Sequence, residues 1–534
     1  MPLYLGFDCS TQSLTAIIVE VEIDGGEPRL VFESALAFDE ELPRYGTRHG
    51  VLPNVDPTVA LSPPAMWAEA LEVMVARVAA SGLDMRRLAA VSGSAQQHGS
   101  VYLNASASAR LAALDPGRPI AGQAADLLSR PVSPIWMDSS TSEECAEISA
   151  AVGGAGVLAQ RTGSRAFERF TGPQIRKLFK REPLIYAATD RVHLVSSFLA
   201  SLLVGGHAPA EPGDGSGMNL MDLAAQRWWP PAVDATAPGL DAKLPALVPS
   251  ATVVGSLSLY WQTRFGLPPA RVVAWSGDNP CSLIGTGLVA EGRVAISLGT
   301  SDTIFGVMAE PRVDPGGTGH VFGAPTGAYM GLTVFKNGSL ARERVRDAFG
   351  LTWAQFAEAL DATPPGNQGR MMLPWFEPEI TPLVAAPGVR HYGLDATDGA
   401  AHVRAIVEAQ QMALALHSRW MGTRIDTIHA TGGASANRAI LRVMADVFDA
   451  DVYQFASGNS ACLGAALRAY HADALARGRG VEWQAVVRPL AEPLAASRIA
   501  PDHRTHALYA ELSRTYAARE AEALGLSAAS GTIG

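Results

Sequence analysis

The chain has 534 residues, of which 48% are apolar and 18% are charged. This composition is typical of a well-buried globular enzyme and excludes a disordered chain, and the length predicts two large or three medium domains. The net charge of -10 argues against a nucleic-acid or anionic-membrane partner.

The cysteines and the first residues predict a cytoplasmic protein. Asp8 interrupts the first apolar segment too early for a signal peptide. The least charged run, 194–210, is too short to span a membrane and contains Gly-Gly, so we expect a buried helix there. The cysteines contain no CxxC pair, which indicates neither a zinc site nor a disulfide framework. They are Cys9, Cys145, Cys281 and Cys462.

The chain begins with an antiparallel meander, because β-branched segments alternate there with turn residues. Its predicted strands are 4–8, 14–23 and 29–38. A helix follows, in which apolar residues from Trp67 to Val78 recur at helical spacing after Ser-Pro-Pro. A further strand over 88–92 then leads into the polar loop GSAQQHG.

A second strand, polar turn and strand occurs at 293–308, in RVAISLGTSDTIFGVM. Set beside YLGFDCSTQSLTAIIV, it aligns Thr300 with Thr11 and Ser297 with Asp8. This internal similarity predicts two halves built alike, with a boundary between about 245 and 290. The C-terminal half alternates strands and helices, which indicates an α/β fold.

The chain lacks the common phosphate-binding motifs. A P-loop requires Gly-Lys followed by Ser or Thr, and no lysine here follows a glycine. No complete G-x-G-x-x-G begins a helix either, which weakens a dinucleotide interpretation. The remaining candidates are hydroxyl- and glycine-rich turns at strand ends, whose N–H and O–H groups suit phosphate oxygens.

Two aspartates at strand ends are candidates for phosphoryl chemistry. Asp8 would suit Mg²⁺ beside phosphates, although the turn could equally be a hairpin whose Asp and Ser bond their own backbone. Asp278, in SGDNP, follows a strand and precedes a helix. Its carboxylate could cap that helix or act as a general base toward a hydroxyl.

Two further segments offer polar side chains for a polyhydroxyl ligand. Gln96, Gln97 and His98 place amides and an imidazole in one loop, where the alternative is a structural histidine. Arg165 and Arg169 are spaced i, i+4, which we interpret as one helical face. The alternative for this arginine pair is an ordinary solvated surface.

A glycine pair and a tryptophan suggest where a nucleotide base could bind. In ATGGASAN, Gly432 and Gly433 would let a base or ribose approach the backbone, and Asn437 could bond a polar edge. An ordinary strand–helix turn is the alternative. Trp353 follows Thr352, a predicted N-cap, and could stack on adenine or pack in the core.

Taken together, these motifs resemble in order and spacing those of the FGGY carbohydrate kinases, from Tyr4 to about Ala474. The shared motifs are the hairpin aspartate, QQHG, GDN, SLGTSD and TGGAS. Longer stretches are most similar to the family members that phosphorylate D-xylulose at its 5-hydroxyl with ATP. They include SGSAQQHGSVYL, PIWMDSST, GSRAFERFTGPQI, DGSGMNLMDL and FKNGSL.

The resemblance implies an α/β fold of two actin-like (RNase H-like) domains with a cleft between them. It implies a sugar-binding domain at 1–285 and a nucleotide-binding domain at 286–534, with ATP and Mg²⁺ as cofactors. The implied sugar contacts are His98, Arg169, Asn279 and Asp278, the last also as catalytic base. The implied nucleotide contacts are Trp353, Gly432, Gly433 and Asn437. The implied phosphate contacts are Thr11, Gly299, Thr300 and Ser301, and the implied metal residue is Asp8.

One residue departs from the family pattern, and three other functions stay open. Ser10 stands where shorter relatives carry Gly, which puts the phosphate contacts of the first turn in doubt. The alternatives are a kinase for another ketose or polyol such as ribulose or glycerol, an actin-fold chaperone or filament ATPase, and an inactive sugar-binding relative. We expect a sugar and ATP as partners, no nucleic acid or membrane, and a monomer or homodimer.

Overall fold

The computed structural model describes residues 1–22, 27–455 and 458–526. Ile23, the predicted end of the second strand, lies outside these residues, as does the tail 527–534 that the sequence assigns to the second domain. Among the described helices, none combines the length and the apolar character that crossing a bilayer requires.

The strands are numbered in chain order. They are β1 Leu3–Cys9, β2 Ser13–Glu20, β3 Arg29–Ala37, β4 Leu61–Ser62, β5 Leu88–Ala95, β6 Ser100–Asn104, β7 Ser133–Pro134, β8 Thr189–Leu194, β9 Met221–Asp222, β10 Arg227–Trp228, β11 Val253–Ser256, β12 Arg271–Val273, β13 Ser276–Gly277, β14 Arg293–Leu298, β15 Asp302–Met308, β16 His320–Gly323, β17 Tyr329–Phe335, β18 Met371–Leu373, β19 Arg390–Tyr392, β20 Thr427–Thr431 and β21 Asp451–Gln454.

The α-helices are numbered in the same way. They are α1 Phe38–Glu41, α2 Pro64–Ala79, α3 Ala107–Ala112, α4 Ile120–Ala125, α5 Ser142–Ala151, α6 Ala155–Thr162, α7 Thr171–Arg181, α8 Pro183–Ala188, α9 Val195–Val204, α10 Pro212–Gly215, α11 Pro230–Thr236, α12 Leu259–Phe265, α13 Asp278–Gly285, α14 Ser339–Ala348, α15 Trp353–Ala362, α16 Gly399–Ser418, α17 Arg438–Phe448, α18 Ser460–Ala476, α19 Trp483–Val487 and α20 His503–Ala523.

Two large sheets share the topology of their central strands and differ in the edge strands β11 and β16. The first has the order β11-β12-β5-β1-β2-β3, with β13 also paired to β5, and the second has the order β16-β17-β15-β14-β20-β21. In the first sheet β1 pairs antiparallel with β2 and parallel with β5. In the second, β14 pairs antiparallel with β15 and parallel with β20. The predicted α/β fold with two similar halves is therefore confirmed, whereas the boundary at 285/286 stays a prediction.

Local sequence patterns explain the helices that cover the first sheet. In α2 the residues at helical spacing, Trp67, Leu71 and Met74, are fully buried and belong to one core with Phe7 of β1. The apolar run after Leu194 forms the buried helix α9. It ends where Gly205 adopts a left-handed φ of 72°, which glycine tolerates without strain. Both predicted helices are confirmed.

Helix α18 follows the second sheet in the chain but packs on the first. The Tyr4 hydroxyl of β1 donates to Asp473 Oδ2 at 3.0 Å, and Arg468 Nη2 donates to the Ala274 carbonyl at 2.8 Å. A Cβ at Gly464 would lie 1.9 Å from the Cys281 carbonyl of α13, so only glycine permits this close packing. The two halves are thus joined through α18, which fixes α13 against β1.

Candidate active site

Two carboxylates meet where neighbouring strands of the first sheet end. Asp8 of β1 pairs in register with Ser94 of β5, and Gly277 of β13 pairs with Ala95, the next residue of β5. Because β1, β5 and β13 are parallel, their carboxyl ends lie at the same edge of the sheet. Asp278 follows Gly277 directly, so Asp8 and Asp278 flank the end of β5.

The environment of this carboxylate pair disfavours its ionised form. Burial raises the pKa of Asp8 to about 6. Burial, and then the charge of Asp8, raise the pKa of Asp278 to about 7. Burial and a neighbouring like charge produce such shifts, and shifted carboxyl groups are typical of catalytic centres.

The contacts of the two aspartates differ from those of a simple N-cap and a simple hairpin. The N-cap of α13 is Gly277 and not Asp278, but Asp278 Oδ1 accepts the Asn279 backbone N–H at 2.8 Å and so satisfies one free donor of the first helical turn. In the hairpin, Ser10 bonds the Ser13 backbone, but Asp8 Oδ1 has no hydrogen-bond partner among the described residues. An unpartnered buried carboxylate oxygen fits a cation.

The donor set is consistent with Mg²⁺ held largely by its substrate. In the described ranges no group of three or more Asp, Glu, His or Cys residues could hold a metal by itself. Mg²⁺ typically binds one or two carboxylates and completes its shell with phosphate oxygens and water. Asp8, with its Oδ1 unpartnered in the described part of the chain, fits that arrangement as the single carboxylate.

Amide side chains lie directly beside Asp278. Asn279 Nδ2 donates to Gln97 Oε1 at 2.8 Å, and Gln97 Nε2 donates to the Gly213 carbonyl at 3.2 Å. A Cβ at Gly277 would lie 2.3 Å from Gln97 Cγ, so glycine lets the two loops touch. The predicted QQHG and GDN motifs are therefore in direct contact.

His98 is a neutral acceptor with a fixed orientation. Its Nδ1 lies 2.8 Å from the Gly217 carbonyl, which can only accept, so Nδ1 carries the proton and donates. Burial, followed by the charge of Arg169, lowers the pKa of His98 to about 3. The residue also has a left-handed φ of 73°, a strained backbone that is common at functional sites. Its Nε2 lone pair is left to accept a hydroxyl proton.

Arg169 lies in a loop, and the prediction of a helical face for Arg165 and Arg169 is wrong. Helix α6 ends at Thr162, followed by the C-cap Gly163 with a left-handed φ of 86°, and α7 does not begin until Thr171. Both guanidinium groups pack on Phe167, with ring-centroid distances of 4.6 Å for Arg165 and 5.1 Å for Arg169. Neither arginine is therefore part of an ordinary solvated helix.

The first polar turn contains a hydroxyl that is already partly bound. Trp136 Nε1 donates to Thr11 Oγ1 at 2.8 Å, which leaves the Thr11 O–H free to donate. The Ser10 N–H donates to the Ser13 carbonyl at 2.9 Å. The turn at Ser10 is thus closed by its own backbone, and Thr11 lies at its tip.

A buried ion pair supports the second polar turn, residues 299–301. The Ser339 N–H donates to the Gly299 carbonyl at 2.8 Å. Arg342 binds Asp302 through two hydrogen bonds, of 2.8 and 3.0 Å, and both side chains are almost fully buried. Bidentate pairs of this kind fix geometry strongly. Sequence reasoning missed Arg342, because no motif links it to the turn.

Most predicted nucleotide and phosphate residues line one cleft of about 870 Å³. Trp353 is 44% exposed there, so the alternative that it packs in the core is wrong. The Arg346 guanidinium lies 4.5 Å from the centre of its ring. Residues lining the cleft include Gly299, Thr300, Trp353, Gly433 and Asn437.

The glycine pair has divided roles. Gly432 has a φ of 81°, and a Cβ there would lie 2.7 Å from the Leu298 carbonyl, so this glycine serves packing. Gly433 has no heavy atom within 4 Å of the Cβ position and lines the open cleft. Asn437 Oδ1 caps α17 by accepting the Ala439 N–H at 2.9 Å, in addition to lining the cleft.

Comparisons with known proteins identify the family. The N-terminal domain of the FGGY family of carbohydrate kinases matches residues 125–285, and its C-terminal domain matches 294–472. The chain belongs to the FGGY family of carbohydrate kinases. It is 42% identical to a xylulose kinase of Mus musculus over 97% of this chain and 93% of that one. It is 43% identical to xylulose kinase 2 of Arabidopsis thaliana, over 88% and 87%.

Solved structures of FGGY-type kinases show the same fold. A xylulose kinase from Rhodospirillum rubrum has a TM-score of 0.80 at 21% identity and covers 98% of this chain and 99% of that one. A gluconate kinase from Lactobacillus acidophilus has the same TM-score at 18% identity, with 98% and 99% coverage. Since kinases named for different sugars share the fold, the choice of sugar depends on the pocket.

Proposed function

We propose that this FGGY kinase transfers the γ-phosphoryl group of ATP to the 5-hydroxyl of D-xylulose. The observation that carries the proposal is the coupled pair Asp8 and Asp278 at one sheet edge, beside amide and imidazole groups that suit a sugar. Xylulose kinases with more than 40% identity over most of the chain support the choice of sugar.

The sugar would be held by neutral donors and acceptors and one cation. His98 Nε2 would accept a hydrogen bond from one sugar hydroxyl, and the Asn279 side chain, oriented by its bond to Gln97, would bond a neighbouring hydroxyl. Arg169 contributes donors in a fixed fork rather than charge matching, because D-xylulose is neutral. The low pKa of His98 keeps its imidazole neutral over the working pH range.

Asp278 would accept the proton of the sugar's 5-hydroxyl as the phosphoryl group transfers. Its pKa of about 7 is above the ordinary value for an aspartate, so the carboxylate binds a proton more strongly. A base with this pKa is still partly ionised near neutral pH, which suits general-base catalysis. A positioned base of this kind contributes roughly 10²- to 10⁴-fold in rate. The remaining acceleration comes from positioning and from charge neutralisation on the phosphates.

The phosphates would lie between the two polar turns. The Thr11 hydroxyl and the backbone N–H groups at 299–301 donate to phosphate oxygens. Asp8 would hold Mg²⁺ through phosphate oxygens and water, and the bound ion would neutralise charge on the β- and γ-phosphates. Trp353, Gly433 and Asn437 would receive the nucleoside, with the base against the Trp353 ring.

The expected location and assembly are also part of this proposal. The four cysteines are free and buried, which supports a reducing compartment such as the cytoplasm. The expected monomer or homodimer stays a prediction.

A panel of sugars in a coupled ADP assay tests the function. D-xylulose should give the highest kcat/KM, and ribulose and glycerol should give much lower values. A higher kcat/KM for another ketose or polyol would replace D-xylulose with that substrate. If no sugar stimulates ATP turnover, the kinase proposal is wrong, and the chaperone or filament ATPase alternative gains support.

A further inference from the structure

The sugar side of the site contains a residue from the second sheet. His320 is the first residue of β16, the edge strand of that sheet, and is 1% exposed. The strand lies directly on segments of the first half. The Val321 N–H donates to the Gly163 carbonyl at 3.0 Å, and the Gly323 N–H donates to Ser216 Oγ at 3.1 Å.

The hydrogen bonds of His320 define its tautomer. Arg169 Nη2 lies 2.9 Å from His320 Nε2, and a guanidinium can only donate, so Nε2 is the acceptor. The proton is then on Nδ1, which donates to Ser164 Oγ at 3.1 Å. Burial, and then the charge of Arg169, hold the pKa of His320 well below its usual range, so the ring stays neutral.

Aromatic packing prevents the imidazole from turning away. The ring of His320 contacts Phe167 edge-on at 4.9 Å and stacks on Phe322 at 6.0 Å between centroids. Phe170 lies 5.8 Å away and also contacts the ring of His98 at 4.7 Å. The acceptor lone pair is therefore aimed at Arg169 by rigid neighbours from both halves.

We propose that His320 is a positioning residue that fixes the Arg169 guanidinium toward the sugar, so that the second half completes the sugar pocket. The inference rests on the proposed role of Arg169 as a sugar contact. One guanidinium N–H is taken by His320, and the ring faces of Phe167 and Phe170 restrict the plane of the fork. The other donors can then meet sugar hydroxyls at little entropic cost.

Two substitutions separate positioning from packing. His320→Phe keeps an aromatic ring of similar size but removes the acceptor, whereas His320→Gln keeps an acceptor oxygen. A hydrogen bond to a charged group contributes more free energy than a neutral one, and His320→Phe removes such a bond. We therefore expect the Phe variant to raise the D-xylulose KM about 10- to 100-fold, with the ATP KM unchanged. The Gln variant should recover most of this loss.

A double-mutant cycle tests whether the effect passes through Arg169. In an Arg169→Met background, adding His320→Phe should change the sugar KM by less than about threefold, because the partner is already gone. His402→Phe is a matched control. His402 is also buried, donates from Nε2 to the Asp395 carbonyl at 3.1 Å and contacts the Phe349 ring, and its variant should show wild-type kinetics.

The outcomes distinguish this inference from the proposed function. Unchanged sugar KM in His320→Phe, equal losses of sugar and ATP affinity, or full additivity with Arg169→Met would overturn the positioning role while leaving the kinase assignment intact. Calorimetric binding of D-xylulose without ATP gives a second readout if turnover is low. Absence of sugar-stimulated turnover in the wild type would overturn both.

Discussion

Replacing Asp278 by Asn separates the chemistry of this residue from its structural contacts. The amide oxygen can still accept the Asn279 N–H, which lies 2.8 Å from Asp278 Oδ1 in the wild type. The variant loses the negative charge and the proton affinity. We expect kcat to fall about 10²- to 10⁴-fold, because the reaction loses its general base.

The same substitution should increase stability at high pH. The pKa of the Asp278 carboxyl group is 3.8 in the unfolded chain and about 7 in the folded protein. Between these values the folded state binds the additional proton, so the free energy of unfolding falls as pH rises to about 7 and is level above it. At 1.36 kcal/mol per pKa unit the full cost is about 4 kcal/mol. Since Asp8 causes part of this cost and can itself bind a proton, we expect a gain of roughly 2–4 kcal/mol at pH 8.

Two assays test this prediction together. Coupled ADP kinetics measure kcat, and urea unfolding at pH 8 and pH 5 measures the free energy of unfolding. The stability gain should shrink to about 1–2 kcal/mol at pH 5, where the wild-type carboxyl group is protonated in the folded state. Asp190→Asn, at an exposed position, should change stability by less than about 0.5 kcal/mol. A variant with near-wild-type turnover, or one less stable than wild type at pH 8, would refute the reasoning.

The other predictions concern the sugar, the nucleotide and the pH profile. His98→Leu should raise the sugar KM about 3- to 10-fold through loss of one hydrogen bond, and an unchanged KM would remove His98 from the pocket. Trp353→Ala should raise the ATP KM about 5- to 100-fold without changing the sugar KM, as expected for a lost stacking surface. Gly432→Ala should lower stability by about 1–3 kcal/mol, whereas Gly433→Ala should leave the melting temperature unchanged and weaken ATP binding; equal effects on stability would contradict the divided roles. Finally, kcat/KM for the sugar should rise with pH and level off above about 7, since the base must be ionised in the free enzyme; a profile that falls through this range would exclude a carboxylate base.

The features that the sequence predicted correctly depend on local patterns. The hairpins at Asp8 and at Thr300 can be predicted because the alternation of β-branched residues and the turn residues between them are signals within a few positions of the chain. The aligned pair Asp8 and Ser297 lies at matching places, each one residue before its strand ends. Short motifs at strand ends were also informative, because parallel strands bring their carboxyl ends together.

The features that the sequence did not predict depend on distant packing. The contact between Arg169 and His320 spans 151 residues, and no motif relates the two. The i, i+4 spacing of Arg165 and Arg169 matched a helix, but the left-handed Gly163 ends α6 before them. Phe167 then packs between the arginines and the second half, which a periodicity argument does not contain.

The packing of α18 explains how the carboxylate pair keeps its geometry in a protein with two halves. A Cβ at Gly6 of β1 would lie 2.4 Å from the Ala466 backbone of α18, and one at Gly285 of α13 would lie 1.9 Å from the Ser460 carbonyl. Backbones packed this closely resist displacement relative to one another, because protein interiors are as densely packed as organic crystals. β1, α13 and α18 therefore form one packed unit, although α18 follows the second sheet in the chain. Asp278, the proposed base, and Asp8, the proposed metal ligand, are therefore held by the same packed unit, so their separation does not depend on the placement of the second half.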